Sequence, residues 1–183
     1  MSQISRTAGC KEVLLVASSR HRPYPRVGSR YRRQSRKGED EMPSKNVKTV
    51  LSQYDAFNKR DYEAGAAPYA DEFTSTDYGS GQTLKSREEV IAWQKEWVKS
   101  ASDAKVTEIN PIDAGDTVVV QFVGVGTNDG PFGPYPATGR RFSTSFCNVE
   151  RFDSKGRVVS DELYYDTMSI LVQLGHVEAP PST

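Results

Sequence analysis

The chain has 183 residues, which allows one domain with a substantial core and is short for two. Its 24 basic and 24 acidic side chains balance, but residues 1–41 carry ten Lys or Arg against four Asp or Glu, so residues 42–183 are acidic overall. An acidic domain is a poor partner for nucleic acid, whose phosphates require a basic surface. The sequence has no run of about 18 apolar residues, so we expect no membrane partner.

Cysteine and histidine are scarce, which argues against metal and disulfide chemistry. Cys10 and Cys147 lack the spacing of a zinc site, and Cys147 is expected to be a small buried residue in a strand. With only His21 and His176, no His-based triad or His metal site can form. No Gly-rich phosphate loop opens a helix. We therefore expect no metal, no cofactor and a cytoplasmic location.

The composition of residues 1–41 is not typical of a folded domain. Residues 18–38 consist mainly of Ser, Arg, Pro and Gly, and they cannot bury enough surface to offset the entropy lost on ordering. A disordered basic tail, an organellar transit peptide and a mis-assigned start codon all agree with this composition. The third is favoured, because Lys37-Gly38-Glu39 permits codons that spell a bacterial ribosome-binding sequence shortly before Met42. We expect a single domain over residues 42–180.

Apolar residues with a period of 3.6 predict three helices in the first part of this domain, over 46–59, 62–69 and 87–101. The third begins with a capping box, in which the Ser86 hydroxyl accepts from the Glu89 amide and Glu89 reaches back.

The period then changes from 3.6 to 2, which predicts strands over 105–112, 116–125, 142–152 and 157–166. A last helix over 167–174 is expected to begin at Asp166 and to end at Gly175. Helices followed by antiparallel strands predict an α+β domain.

Short motifs occur in an order and at a spacing that resemble a known family. They are YDAFN at 54–58, PATGRRF at 136–142, RFD at 151–153 with GRVV at 156–159, YYD at 164–166 and LVQLG at 171–175. Over about residues 46–176 the chain resembles the SnoaL-like polyketide cyclases and nuclear transport factor 2-like proteins. The resemblance implies a cone-shaped curved antiparallel sheet with N-terminal helices packed on its concave face, an apolar pocket and a homodimer.

The resemblance also implies where an acid/base residue would lie. Cyclases of the family close a ring by aldol chemistry and use an aspartate on the last strand. Counting back from LVQLG places that position at Leu163, which cannot transfer a proton, so cyclase activity of that kind is not expected. Asp161 shares the same sheet face and could serve instead, since an apolar pocket raises the pKa of a carboxyl group. Alternatively, Asp161 lies at the rim, hydrated or paired with an Arg.

Two further polar residues are candidates for catalysis. By the family pattern Asn148 faces the pocket, where its amide could polarise a carbonyl group. The alternative is a hydrogen bond to a neighbouring strand. Tyr165 shares the face of Asp161 and could hold an oxyanion.

Asn128 and Glu150 have structural interpretations as well as functional ones. Asn128 is either a turn residue or a second polar anchor for a ligand. Glu150 is expected to pair with Arg151 or Arg157 rather than to take part in catalysis.

Apolar and aromatic side chains are expected to line the pocket, although aromatic stripes on helices more often belong to a core. Phe57 matches a position that faces the substrate in cyclase relatives. Such a lining would suit a flat hydrophobic ligand. The candidates are Tyr54, Phe57, Trp93, Trp97, Phe122, Phe146 and Leu163.

Three functions remain open. The first is a cofactor-independent isomerase, cyclase or lyase that acts on a small hydrophobic carbonyl compound, with Asp161 as base and Asn148, Asn128 or Tyr165 as oxyanion donor. The second is a non-catalytic binding protein for an apolar ligand, which Leu163 favours. The third is an interaction module that dimerises through its convex sheet face.

Overall fold

A computed structural model describes residues 42–179, so the interpretations of residues 1–41 lie outside the described residues. The described part contains four helices and six strands. In chain order they are α1 (Lys45–Lys59), α2 (Tyr62–Ala66), β1 (Tyr69–Asp77), β2 (Gln82–Leu84), α3 (Arg87–Ser100), β3 (Lys105–Asp113), β4 (Thr117–Thr127), β5 (Arg141–Phe152), β6 (Val158–Tyr165) and α4 (Thr167–Leu174).

The helix ends follow from capping chemistry. The Ser86 hydroxyl accepts from the Glu89 amide at 3.2 Å. The Glu89 carboxylate accepts from the amide of Lys85, whereas a capping box predicts the amide of Ser86. Asp166 accepts from the Ser169 amide at 3.1 Å and begins α4 as predicted.

Gly175 ends α4 with a φ of 79°, a backbone conformation that favours glycine. Helix α2 ends at Ala66 rather than at residue 69, because Pro68 has no amide hydrogen with which to continue the ladder.

The six strands form one sheet in the order β2-β1-β6-β5-β4-β3. Four of the five strand pairings are antiparallel, and β1 pairs with β6 in parallel. The sequence patterns missed the full length of β1, since two of its inward positions are Ser75 and Asp77. Without apolar residues there, the hydrophobic alternation that predicts a strand is absent.

The sheet curls without closing, and helices α1 and α3 pack on its concave face. Alternate residues of β4 and β5 point into this face, and fully buried Val118 and Val120 contribute to the core. The predicted α+β class, with helices on the concave face of a curved sheet, is confirmed. Among residues 42–179, no helix is both long and apolar enough to cross a bilayer.

Cys147 lies on the opposite, convex face of β5. It was expected to be buried, but it is only half-buried and its thiol is free. Its position follows from strand alternation, which turns its neighbours Phe146 and Asn148 inward and Cys147 outward.

Candidate functional site

A space of about 120 Å³, the inner cavity, lies between α1, α3 and the concave face of the sheet. Its walls are mainly aromatic, with a few polar side chains at one end. The structure brings nine of the eleven predicted site residues to this cavity, namely Tyr54, Phe57, Trp93, Trp97, Phe122, Phe146, Asn148, Asp161 and Leu163.

Asp161 is a buried carboxyl group of the inner cavity, with 8% of the residue exposed. Strand pairing places it opposite Ser75 of β1 on one side and Glu150 of β5 on the other. Its Oδ2 accepts hydrogen bonds from the Tyr69 hydroxyl at 2.5 Å and from the Ser75 hydroxyl at 3.0 Å. Its Oδ1 is buried and has no hydrogen-bond partner.

The alternative of a rim position paired with an Arg is therefore wrong, since no residue between 42 and 179 forms an ion pair with Asp161. Burial raises the pKa of its carboxyl group, and the hydrogen bonds from Tyr69 and Ser75 lower that pKa in part. The group is a buried carboxyl with one unpartnered oxygen, in a residue that lines an apolar cavity.

Glu150 lies behind Asp161 and is only 2% exposed. The predicted pairing with Arg151 or Arg157 is wrong, because strand alternation turns Glu150 inward and Arg151 outward. Arg151 instead binds Glu162 of β6 at 2.8 Å.

One oxygen of Glu150, Oε1, accepts from the Asn148 amide at 3.2 Å, while Oε2 has no partner. Burial, and after it the charge of Asp161, raises the pKa of Glu150 well above its usual range. Of this carboxyl pair, Glu150 is therefore the member whose protonated form burial favours more strongly.

Asn148 connects this pair to helix α1. Its Nδ2 donates to the Tyr54 hydroxyl at 3.3 Å and to Glu150, so its two amide hydrogens are used within the protein. Its Oδ1 is buried without a partner.

The Tyr54 hydroxyl accepts this bond, and its own hydrogen is not donated to any residue that the structure describes. Burial raises the pKa of Tyr54 well above its usual range, so the hydroxyl stays protonated. Tyr54, rather than Asn148, is the donor available to an oxyanion in the inner cavity.

Tyr165 does not line the inner cavity, although it faces the same side of β6 as Asp161. Its hydroxyl donates to Asp77 Oδ2 at 3.2 Å. Asp77 is 2% exposed and also accepts from the Trp93 indole at 2.9 Å and from the Ser80 amide at 3.0 Å. The structure thus uses Tyr165 to hold a buried carboxylate.

Asn128 lies outside the inner cavity and is 1% exposed. Its Oδ1 accepts from the Thr138 amide at 2.9 Å, and its Nδ2 donates to the carbonyl groups of Ser100 at 3.2 Å and Gly130 at 2.6 Å. Since both ends of the amide bind backbone, the placement agrees with a turn residue and not with a ligand anchor.

A family model for SnoaL-like polyketide cyclases matches residues 48–174. The chain belongs to the SnoaL-like polyketide cyclase family. A SnoaL-like protein of Jannaschia sp. CCS1, proposed to be a polyketide cyclase, is 25% identical with a TM-score of 0.66, covering 79% of this chain and 100% of that one.

Two other solved structures are similar. IdmH of Streptomyces antibioticus, also proposed to be a polyketide cyclase, is 26% identical with a TM-score of 0.63, covering 72% of this chain and 99% of that one. A nuclear transport factor 2-like protein of unknown function from Burkholderia pseudomallei K96243 is 26% identical with a TM-score of 0.62, covering 73% and 99%. A search of curated proteins finds no match. The family resemblance seen in the sequence motifs is confirmed.

In this SnoaL-like domain, Leu163 lines the inner cavity at the position where the resemblance implies an acid/base aspartate. The carboxyl group of Asp161 lies two residues further from the C-terminal end of β6, on the same face. Within residues 42–179, no group of three or more His, Cys, Asp or Glu side chains could hold a metal ion.

A second, wider concavity of about 780 Å³, the outer groove, adjoins the inner cavity. The two spaces share Asp77, Leu84, Trp93 and Trp97, which form the boundary between them; we call this boundary the passage. The loop 131–135 forms another part of the groove wall.

Sequence reasoning missed Asp77, Ser75 and Tyr69. Alternation along β5 does place Glu150 on the face of Asn148, but the register that joins β1 to β6 has no signal in the sequence.

Proposed function

We propose that the inner cavity is the active site of a cofactor-independent isomerase or cyclase that acts on a hydrophobic carbonyl compound, with Asp161 as general base. The observation that carries this proposal is the Oδ1 atom of Asp161, which is buried and lacks a hydrogen-bond partner, in a residue that lines an aromatic cavity. A carboxylate with a raised pKa is a stronger base than one in water, and its free oxygen can receive a proton.

The residues suit proton abstraction next to a carbonyl group. Asp161 Oδ1 takes a proton from the adjacent carbon, and the C–H electrons move into an enolate whose oxygen accepts a hydrogen bond from the Tyr54 hydroxyl. Return of the proton to another carbon isomerises the substrate. Attack of the enolate carbon on a second carbonyl carbon closes a ring instead, and Asp161 then returns the proton to the new alkoxide.

Tyr69 and Ser75 support this chemistry from the other side of the carboxylate. Both donate to Oδ2, which fixes the plane of the group and leaves Oδ1 directed away from them. The raised pKa of Tyr69, caused by burial and then by Asp161, keeps it protonated as a donor. They act as positioning residues, since their hydroxyl groups contact the base.

The size of the cavity limits what enters it. A space of about 120 Å³ is somewhat smaller than the roughly 150 Å³ apolar cavity that holds benzene in an engineered protein. The reacting end of the substrate is therefore no larger than a small ring, and the remainder lies in the outer groove.

Exchange of the hydrogens next to a ketone tests the proposal without knowledge of the natural substrate. Wild-type protein should accelerate deuterium incorporation into cyclopentanone in deuterated water, measured by NMR. Asp161→Asn should reduce this acceleration by about 10²-fold or more, the usual contribution of a general base.

Asp55→Asn is the matched control, because Asp55 is exposed and its ion pair with Lys59 lies on the surface of α1. The control should exchange like wild type. Exchange by Asp161→Asn at the wild-type rate would contradict the assignment of the base.

A second candidate function is a non-catalytic binding protein for a hydrophobic ligand, which Leu163 favours because it replaces the acid/base aspartate of the family. Binding of cyclopentanone without any accelerated exchange in the wild type would support this alternative. We also propose a homodimer that associates through the convex sheet face.

A further inference from the structure

We infer that the passage between the inner cavity and the outer groove binds a protonated amine, so that the substrate is an amino-carbonyl compound. The passage is formed by Asp77, Leu84, Trp93 and Trp97. The inference rests on the proposed function only for the position of the carbonyl group, beside Asp161. The amine site itself stands on the charge, the geometry and the aromatic walls of the passage.

The first argument is a buried charge without a counter-charge. Asp77 accepts three hydrogen bonds, from Trp93, Tyr165 and Ser80, and it forms no ion pair within the described residues. Buried carboxylates are normally paired with a cation. A carboxylate has about four lone-pair sites, so a further N–H donor can be accommodated.

The second argument is the sign of the surrounding charge. The outer groove is lined by Asp77, Glu89 and Glu96, of which Glu96 pairs with Lys99 beside the groove, and by no Lys or Arg among the described residues. The inner cavity adds Asp161 and one basic residue, Lys105. Lys105 is exposed and lies on β3, which three strands separate from β1 in the sheet order. A cleft lined by one sign of charge attracts ligands of the opposite sign.

The third argument concerns hydrogen-bonding groups of residues that line the inner cavity. Two of these side chains, both more than nine-tenths buried, have an oxygen without a hydrogen-bond partner, namely Asn148 Oδ1 and Asp161 Oδ1. Both oxygens are hydrogen-bond acceptors, the Asp161 oxygen when its carboxyl group is unprotonated. An anionic ligand would face these oxygens without compensation, whereas a ligand that carries hydrogen-bond donors is complementary to them.

The fourth argument is the aromatic wall. Trp93 and Trp97 lie with ring centroids 6.1 Å apart and planes at 72°. The indole N–H of Trp93 is bound to Asp77, so the carboxylate is held at the edge of that ring. Tryptophan is the aromatic side chain that best attracts a cation over its face, and the carboxylate adds to the attraction.

Strand geometry sets the spacing of the two ends of the ligand. Asp161 is opposite Ser75, and Asp77 is two residues further along β1 on the same face. At about 3.3 Å per residue and about 4.8 Å between strands, the two carboxyl-bearing positions are roughly 8 Å apart. Once the contact distance to each carboxyl group is subtracted, only a few bonds separate the amine of the ligand from its reacting carbon.

Two probes of equal ring size test the preference for charge. Piperidine is protonated at neutral pH, whereas tetrahydropyran is its uncharged counterpart. Trp93 and Trp97 are the two tryptophans of the chain, so the intrinsic fluorescence of the full-length protein reports binding at the passage. Piperidinium should bind about tenfold or more tightly than tetrahydropyran at low ionic strength, within the range expected for a cation beside an aromatic face and a carboxylate.

Asp77→Asn should remove this preference while keeping an acceptor for the Trp93 indole, and Glu63→Gln, an exposed neutralisation on α2, should keep it. The wild-type comparison decides the matter even if Asp77→Asn does not fold. Equal or tighter binding of tetrahydropyran, binding of neither probe, or an unchanged preference in folded Asp77→Asn would overturn the inference. The cyclopentanone assay is independent of these results, because that ketone carries no amine.

Discussion

Replacing Glu150 by Gln should change how the stability of the protein depends on pH. In the folded state burial raises the pKa of Glu150 well above its value of about 4.5 in an unfolded chain. The folded state therefore retains a proton that the unfolded state releases once the pH exceeds that value. Stability is fully retained below about pH 4.5 and falls as the pH rises toward the folded-state pKa.

The magnitude follows from the number of protons involved. One proton held by the folded state alone lowers the free energy of unfolding by up to about 1.4 kcal/mol for each pH unit. Asp161 contributes with the same sign, because burial raises its pKa as well. The Glu150→Gln variant lacks the contribution of Glu150 to this pH dependence.

Urea denaturation between about pH 5 and pH 8 measures this difference. The free energy of unfolding of the wild type should fall with pH more steeply than that of Glu150→Gln. The difference between the two therefore shifts in favour of the variant as pH rises. Glu63→Gln, the same change on an exposed side chain, should follow the wild type. Parallel curves for wild type and Glu150→Gln would refute the idea that Glu150 retains a proton in the folded state.

Two other predictions concern the loops and the assembly. Asn128→Ala should lower the free energy of unfolding by about 1–3 kcal/mol, because the backbone groups of Thr138, Ser100 and Gly130 lose their partner, and thermal denaturation should show it. An unchanged melting temperature would contradict the structural role of Asn128. The proposed homodimer should appear as twice the chain mass in sedimentation at tens of micromolar, and a monomer mass there would contradict it.

Local patterns predicted most of the fold because they report directly on burial. The period of 3.6 around Val50 and Tyr54 gave helix α1, and the capping residues Ser86 and Asp166 located the starts of two helices. The full length of β1 escaped detection because Ser75 and Asp77, which point inward, are polar.

The site could be predicted only in part for a related reason. The face of β6 that carries Asp161 and Leu163 follows from alternation along one strand. The partners of Asp161 do not, since Tyr69 and Ser75 lie 92 and 86 residues away along the chain. Glu150 was misassigned because charge pairing was weighed by proximity in sequence, whereas strand alternation places neighbours on opposite faces.

The parallel pairing of β1 with β6 has a consequence for synthesis of the chain. Because Ser75 and Asp161 are 86 residues apart, β1 leaves the ribosome long before the strand that will lie beside it. Until β6 follows, the inward hydroxyl and carboxylate of β1 have only the short β2 as a neighbour in the sheet. Contacts between distant parts of a chain form slowly, so the surroundings of Asp161 are among the last parts of the nascent domain to assemble.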